Sequence, residues 1–345
     1  MDYYLIKGYF HVVGYSPDGD SLMFEASSKK RWDKIESSHR DTFLEKLEEN
    51  EGAVQLRLQG VDALETHYSA SPLPTPSAYR GKSYSKAEKP KTRQHRQPEE
   101  FGDAATARLL EYLDVESATW GSFFGRHYIK EINIKRGTRT STYKTKNKDK
   151  IPGYIIVNDY DRKGRPIAWI FGGKTSTRDG TRFTTSRLKS RLKQSINYKL
   201  VADGMVYPYF FFTLAASLRD VLVEGVKKAQ ADKLNLWSKD RSEKGITLRR
   251  FDQITDDYLI FPYLFRRLVK HQFRRQMEGY WEASANKKSY TPSETKLFLE
   301  SFFKDSNPYV FKIDERDFVR LDEIVYVTKT KLRLKTHPGN IVFLG

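Results

Sequence analysis

The stretch that decides the fold is LRLQGVDALETHY, Leu56–Tyr68. Leu56, Leu58 and, across the glycine, Val61 are apolar, with Arg57 and Gln59 between them. That alternation predicts a strand over Val54–Val61 with one buried face. The strand carries an arginine on one pleat and then runs into Asp62 and Glu65, three residues apart. A strand that needed only a soluble edge would not require this combination. A strand feeding an active site would: carboxylates are hard oxygen donors and bases, and a guanidinium is a permanent, planar cation.

Working outward, the same chemistry recurs at two predicted hairpins. SPDGD, Ser16–Asp20, is an Asp-Gly turn between strands expected at Tyr3–Tyr15 and Leu22–Ala26, and it offers Asp20. NDYDRKGRP, Asn158–Pro166, joins short apolar runs at Tyr154–Val157 and Ile167–Phe171, and it offers Arg165. Neighbouring carboxylates suit a divalent cation such as calcium. Two arginines can clamp a phosphate, and a third carboxylate can take a proton from water. Together these are the parts needed for attack on a phosphodiester. Helices are expected at Phe101–Leu113, Ile196–Ala202 (closing at Gly204) and Thr213–Ala231, and a strand at His127–Lys135. Trp32–Glu51 reads as a short helix or a loop.

The chain has 345 residues, 38% hydrophobic, enough for two domains or one decorated domain. It has no cysteine, which excludes disulfides, thiolate catalysis and cysteine zinc sites. No apolar run approaches the roughly 18 residues of a membrane span. MDYYLIKGYFHVVGY reads as a first strand and not as a secretion signal, so a cytoplasmic location is expected. The formal net charge is +17, which favours polyanionic partners. The basic excess lies in three polar stretches, Tyr79–Gln97, Lys135–Lys150 and Gly173–Gln194, read as loops in contact with phosphate or merely solvated. The seven histidines show no metal-ligand spacing. No Walker loop, Gly-x-Ser-x-Gly or His-Glu-x-x-His motif occurs.

In order along the chain, DGDS (18–21), RLQGVDALE (57–65), FGDAATARLL (101–110), DRKGRPIAWIF (161–171), INYKLVADGMV (196–206) and KKAQADKLNLWSKD (227–240) resemble the successive motifs of the staphylococcal nuclease-like, or thermonuclease, family. Any one match is weak; six in order carry the resemblance, up to about Asp240. The resemblance implies an α+β fold, a five-stranded OB-type β-barrel with packed helices. It also implies a calcium-dependent nuclease acting on DNA, RNA or both, with another divalent cation as the variant. On that resemblance Asp20, Asp62 and the main-chain carbonyl of Ala63 hold the metal. Glu65 is the general base, or positions the attacking water, while Arg57 and Arg165 neutralise the charge at phosphorus. Arg162 and Lys163 contact phosphate. Tyr207 and Tyr209, or Phe210 and Phe212 in the other register, offer a face to a base; the same YPYFFF run reads equally as core. Leu64 stands where the family has proline before the glutamate, and Ala63 where its best-known member has threonine.

The expected division is a nuclease domain over 1–245, with basic insertions at about 69–100, 130–150 and 173–194, and a C-terminal α+β accessory domain over 246–345. There Phe251–Trp281 has helical spacing interrupted by Pro262, TPSE (291–294) reads as a helix start, and Phe318–Phe343 alternates like a hairpin or small sheet. The basic run FRRLVKHQFRRQ, Phe265–Gln276, would bind nucleic acid or an anionic membrane surface, or pack its apolar side on the nuclease domain. The accessory domain is expected to regulate the nuclease or to dock a protein partner, with defence against foreign DNA as one such role. The competing reading is a catalytically silent OB-type nucleic-acid-binding or scaffold module.

Overall fold

A computed structural model describes residues 2–123, 126–292, 299–304 and 306–344. The chain forms two compact units. The first comprises Met1–Ala63 and Asp103–Trp237, the second Leu64–Gly102 and Ser238–Gly345.

The first unit is built on five strands, β1 (Tyr3–His11), β2 (Ser21–Ala26), β3 (Ala53–Leu58), β4 (Ile151–Tyr160) and β5 (Pro166–Gly172). They pair in the order β1-β2-β3-β5-β4, and β4 pairs back onto β1, so the sheet closes into a barrel. All pairings are antiparallel except β3 with β5, which is parallel and joins Arg57 to Ile167 and Leu58 to Ala168. Closure removes exposed strand edges. It is tightest where Gly8 faces Gly153. A Cβ on Gly8 would meet the Glu25 carbonyl oxygen at 2.1 Å, and one on Gly153 the Phe10 ring at 2.2 Å. The apolar pleats of these strands supply the core: Leu5, Ile6, Phe24, Leu56, Ile155, Ile156 and Trp169 are buried. At one end an aromatic cluster closes the barrel, with Phe43 stacked on Tyr160 at 4.1 Å and tilted against Trp32 at 5.1 Å.

The longer helices that belong to or enter this unit are α1 (Arg40–Glu49), α2 (Glu99–Glu111), α3 (Ile196–Ala202) and α4 (Ala216–Ala231). Ser195 caps α3 by accepting the Tyr198 N–H at 3.2 Å. α4 buries Leu218, Val221, Leu222, Gly225, Val226 and Ala229, the spacing of one helix face. The LNLWS segment folds back, burying Leu236 and Trp237, and Trp237 meets Tyr207 edge-on at 5.2 Å.

The strand expected at Val54–Val61 stops at Leu58. Gly60 turns the chain, and Val61–Asp62 then pairs with Tyr207–Pro208. The basic stretch from Lys135 is not wholly loop. Val115–Phe123, Arg126–Arg136 and Arg139–Tyr143 form a three-stranded antiparallel ribbon that absorbs the strand expected at His127–Lys135. The stretch Gly173–Gln194 contains a short strand, Arg182–Phe183, and a short helix, Thr185–Lys189.

In the second unit the main helix is α5 (Pro262–Ala285). Pro262 starts this helix at its first turn, where the missing N–H costs nothing, instead of interrupting one. Tyr309–Lys312 pairs with Asp317–Arg320 and with Ile341–Phe343. Lys331–Leu334 pairs with Val325–Val327 and Ile246–Thr247. The segment 64–102 is stitched into this unit: Glu88 N–H donates to Tyr290 O at 2.9 Å, and Tyr79 stacks on Trp281 at 6.1 Å. The helix start expected at TPSE falls mainly on residues outside those described. No described helix is long and apolar enough to cross a membrane.

Candidate functional site

Asp20 closes the β1–β2 turn. Its N–H meets Asp18 Oδ1 at 3.3 Å, and its carbonyl accepts the Leu58 N–H at 2.9 Å, which ties the turn to the end of β3. Gly19 permits this approach, because a Cβ there would lie 2.8 Å from the Ala105 methyl of α2 and 2.9 Å from that of Ala63. The loop after β3 then delivers Asp62 and Ala63 to the same place.

Arg57 joins the two carboxylates. Its Nη1 lies 2.6 Å from Asp20 Oδ2, and its Nη2 2.7 Å from Asp62 Oδ1. The Ala63 N–H donates to Asp20 Oδ2 at 2.9 Å. Asp62 is fully buried, Asp20 nearly so, and the Arg57 side chain is 20% exposed. Burial pushes the Asp20 carboxyl up to about 7. The Arg57 guanidinium opposes that rise, Asp18 and Asp62 add to it, and the Ala63 N–H works against it.

The remaining candidates are placed differently. Arg165 is held by its own turn: Nε donates to Asp161 Oδ2 at 2.8 Å and Nη2 lies 2.7 Å from the same oxygen. Asp161 Oδ1 also accepts the Lys163 and Arg165 N–H groups, each at 2.9 Å. Asp161 is therefore the residue that shapes this hairpin; its presence in DRKGR was visible, its role was not. Arg162 and Lys163 are exposed at the tip.

Glu65 lies in the second unit. Its N–H donates to Gln97 Oε1 at 3.2 Å, its carbonyl accepts the Gln97 N–H at 2.8 Å, and Gln97 Nε2 donates to Ile260 O at 2.7 Å. Its carboxylate Oε1 accepts Arg266 Nη1 of α5 at 2.6 Å. Arg266 belongs to the basic run Phe265–Gln276, expected to meet nucleic acid or a membrane surface or to pack its apolar side, and not to pair with Glu65. Nothing in a sequence pairs it with a residue 201 positions earlier.

The aromatic candidates divide. Tyr207 and Phe210 are fully buried, so neither offers a face to a base, and for these two the core reading replaces the stacking one. Tyr209 is half-buried and sits edge-on to Phe211 at 4.8 Å, while Phe212 is 55% exposed.

The donor set suits a hard cation in kind. Among the described residues both contacts to the Asp20 carboxylate fall on Oδ2, which leaves the lone pairs of Oδ1. Asp62 supplies a second carboxylate. It is the Ala63 N–H, and not its carbonyl, that meets Asp20. Among the described residues no three His, Cys, Asp or Glu side chains converge as a metal-holding group. Any cation here would therefore complete its shell with main-chain or solvent oxygens. A scan against models of known protein families finds no match to this chain, and a search of curated proteins finds no relative.

Proposed function

We propose that the chain is a metal-dependent nuclease built on an OB-type, thermonuclease-like barrel, hydrolysing phosphodiester bonds of DNA, RNA or both. One observation carries the reading: on a closed five-stranded barrel of order β1-β2-β3-β5-β4, two buried aspartates and a strand arginine converge within 2.7 Å contacts. Burying two like charges is costly and calls for a reason beyond solubility.

In this reading Asp20 and Asp62, with the Ala63 carbonyl, hold a calcium or another divalent cation. When bound, the cation supplies Lewis-acid polarisation of the phosphate and offsets its charge. Arg57 neutralises Asp20 and Asp62 in the structure described, and in catalysis it neutralises the added charge at phosphorus. Arg165, in the turn just before β5, is the second such cation. Glu65, three residues after Asp62 in the chain, takes the proton of the attacking water as the water oxygen bonds to phosphorus. The bond to the leaving ester oxygen breaks, and that oxygen keeps the electron pair and takes a proton from solvent. Loss of an arginine in this role is expected to lower the rate about 10²-fold, by analogy with an oxyanion donor.

A specific observation favours a second reading, a catalytically silent nucleic-acid-binding module. Asp20, Arg57, Asp62, Arg165 and Glu65 are each already engaged in an ion pair, as a purely structural network would be. Cleavage of single- and double-stranded DNA and of RNA, with calcium, magnesium or chelator, separates the two. The nuclease reading expects metal-dependent cutting that Glu65→Gln and Arg57→Ala abolish. No cutting under any metal, with salt-sensitive binding retained, overturns it. The second unit is proposed to regulate the nuclease or dock a protein partner, defence against foreign DNA being one setting in which such control matters.

A further inference from the structure

The segment KTKNKDK, 144–150, places Lys144, Lys146, Lys148 and Lys150 at alternate positions, and all four are exposed. A lysine run is ordinarily a solvated tail, but this one is clamped to the barrel. Asp149 is buried, and its Oδ2 accepts the Val12 and Val13 N–H groups at 2.6 and 3.0 Å. Its Oδ1 lies 2.9 Å from Nδ1 of buried His11, whose Nε2 lies 3.0 Å from Glu25 Oε2. The Tyr15 hydroxyl donates to Asn147 Oδ1 at 2.8 Å. The Lys146 ammonium sits over the Tyr15 ring at 4.7 Å and that of Lys150 over Tyr9 at 5.5 Å. A buried carboxylate and two tyrosines thus fix the backbone from which the lysines project.

The row is continuous with the three-stranded ribbon. Ile129 of the ribbon is buried; the Gly14 N–H donates to its carbonyl at 2.8 Å, and its own N–H to Tyr15 O at 2.8 Å. Opposite Ile129 stands Trp120, which is 44% exposed, and three residues on, Phe123 is 68% exposed. On the side of Ala118 and Ile132 away from Trp120 the ribbon is polar. Asn133 Nδ2 donates to Ser117 Oγ at 2.9 Å, and Thr142 Oγ1 to Asn133 Oδ1 at 2.6 Å.

We propose that the ribbon strands Val115–Phe123, Arg126–Arg136 and Arg139–Tyr143 and the lysine row after them form a docking track for single-stranded nucleic acid. Four ammonium groups on a fixed backbone complement a chain of phosphates. The exposed Trp120 ring offers a face on which an unpaired base stacks. A duplex keeps its bases stacked on one another and would use only the lysines. An anionic membrane would want a contiguous apolar face, whereas Trp120 stands between the exposed Thr119 and, two residues on, the exposed Ser122.

The test uses the full chain in chelator, so that binding is read without cutting. Fluorescence anisotropy is measured with a labelled oligo-dT of about 20 nucleotides, a duplex of the same length, and phosphatidylserine vesicles, over a range of salt. The variants are the fourfold Lys144/Lys146/Lys148/Lys150→Gln, Trp120→Ala and, as a control away from the ribbon, Lys227→Gln/Lys228→Gln; circular dichroism melts show that each is folded. The fourfold variant is expected to bind oligo-dT at least tenfold more weakly, with a salt slope shallower by about 0.7 per lost phosphate contact. Trp120→Ala is expected to weaken oligo-dT several-fold and leave the duplex unchanged; the control matches wild type. A fourfold variant with wild-type affinity and slope overturns the proposal. So does a Trp120→Ala that weakens both nucleic acids equally, or a wild type that prefers vesicles to oligo-dT. If binding behaves as stated while no metal supports cutting, the nuclease reading falls and the track stands.

Discussion

Burial acts on Asp20 more strongly than the Arg57 guanidinium does, and that balance has a sign. The Asp20 pKa is raised from 3.8 to about 7 on folding, so the folded state holds the proton where the unfolded state releases it. The stability this group contributes is full below about pH 4 and is lost as pH rises through about 7. In chelator the wild-type melting temperature should therefore fall across that window. Asp20→Asn, which cannot titrate, should flatten the curve and melt higher than wild type near pH 8 in thermal scans. A cation needs the ionised carboxylate, so its stabilising effect should weaken as pH drops below about 7; equal stabilisation at pH 5 and 8 would remove Asp20 as its ligand. Arg57→Ala leaves Asp20 and Asp62 buried without their shared cation and should cost about 3–5 kcal/mol in urea denaturation. At this scale part of the grouping was legible: of the five residues read together, Arg57 contacts Asp20 and Asp62. The Arg165–Asp161 pair was less legible, because a carboxylate that builds a turn and one that serves chemistry are the same letter.

Among the elements, the parallel seam between β3 and β5 is short, and Asn197 at the start of α3 reinforces it. Its Oδ1 accepts the Ile170 N–H at 2.9 Å, and its Nδ2 donates to the Gln59 and Ala168 carbonyls at 3.0 Å each. Asn197 is fully buried, so Asn197→Ala would strand the Ile170 N–H and the Gln59 carbonyl away from water, while the Ala168 carbonyl keeps the Gln59 N–H at 2.9 Å. With each unpaired group costing about 1–3 kcal/mol, the loss should reach about 3 kcal/mol or more, read as a lower denaturation midpoint. Because Arg57 sits on this seam opposite Ile167, the nuclease reading expects cutting to fall with it. Barrel strands and α3 were visible through alternation and helical spacing. Of the ribbon only the middle strand was visible: Val115–Phe123 buries little beyond Val115, so no apolar alternation marks it as a strand. Its pairing with Arg126–Arg136 defines it, and pairing is not written in one strand alone.

At the scale of the whole molecule the chain leaves the first unit at Leu64 and returns at Asp103, and only its last hundred or so residues complete the second. The segment 64–102 draws its partners from far along the sequence, as Gln97 does from Ile260, 163 residues on. A fragment ending at 245 would lack α5 and Tyr290, so 64–102 should lose its order there. Limited trypsin digestion should then cut that fragment between Arg80 and Arg96 and spare those bonds in the full chain; equal resistance in both would show that the segment folds alone. Composition marked this stretch as a basic insertion, but no local pattern says that an insertion will be finished by the other end of the chain.

That discontinuity sets a schedule for synthesis. The five barrel strands are complete once residue 172 has emerged, whereas Arg266, the partner of Glu65, follows Glu65 by 201 positions. At roughly 5–20 residues per second on the ribosome, Glu65 and its neighbours wait on the order of 10 to 40 s for their partners, exposed to chaperones and proteases. The barrel matures early, and the ion pair that holds Glu65 is among the last contacts the nascent protein makes.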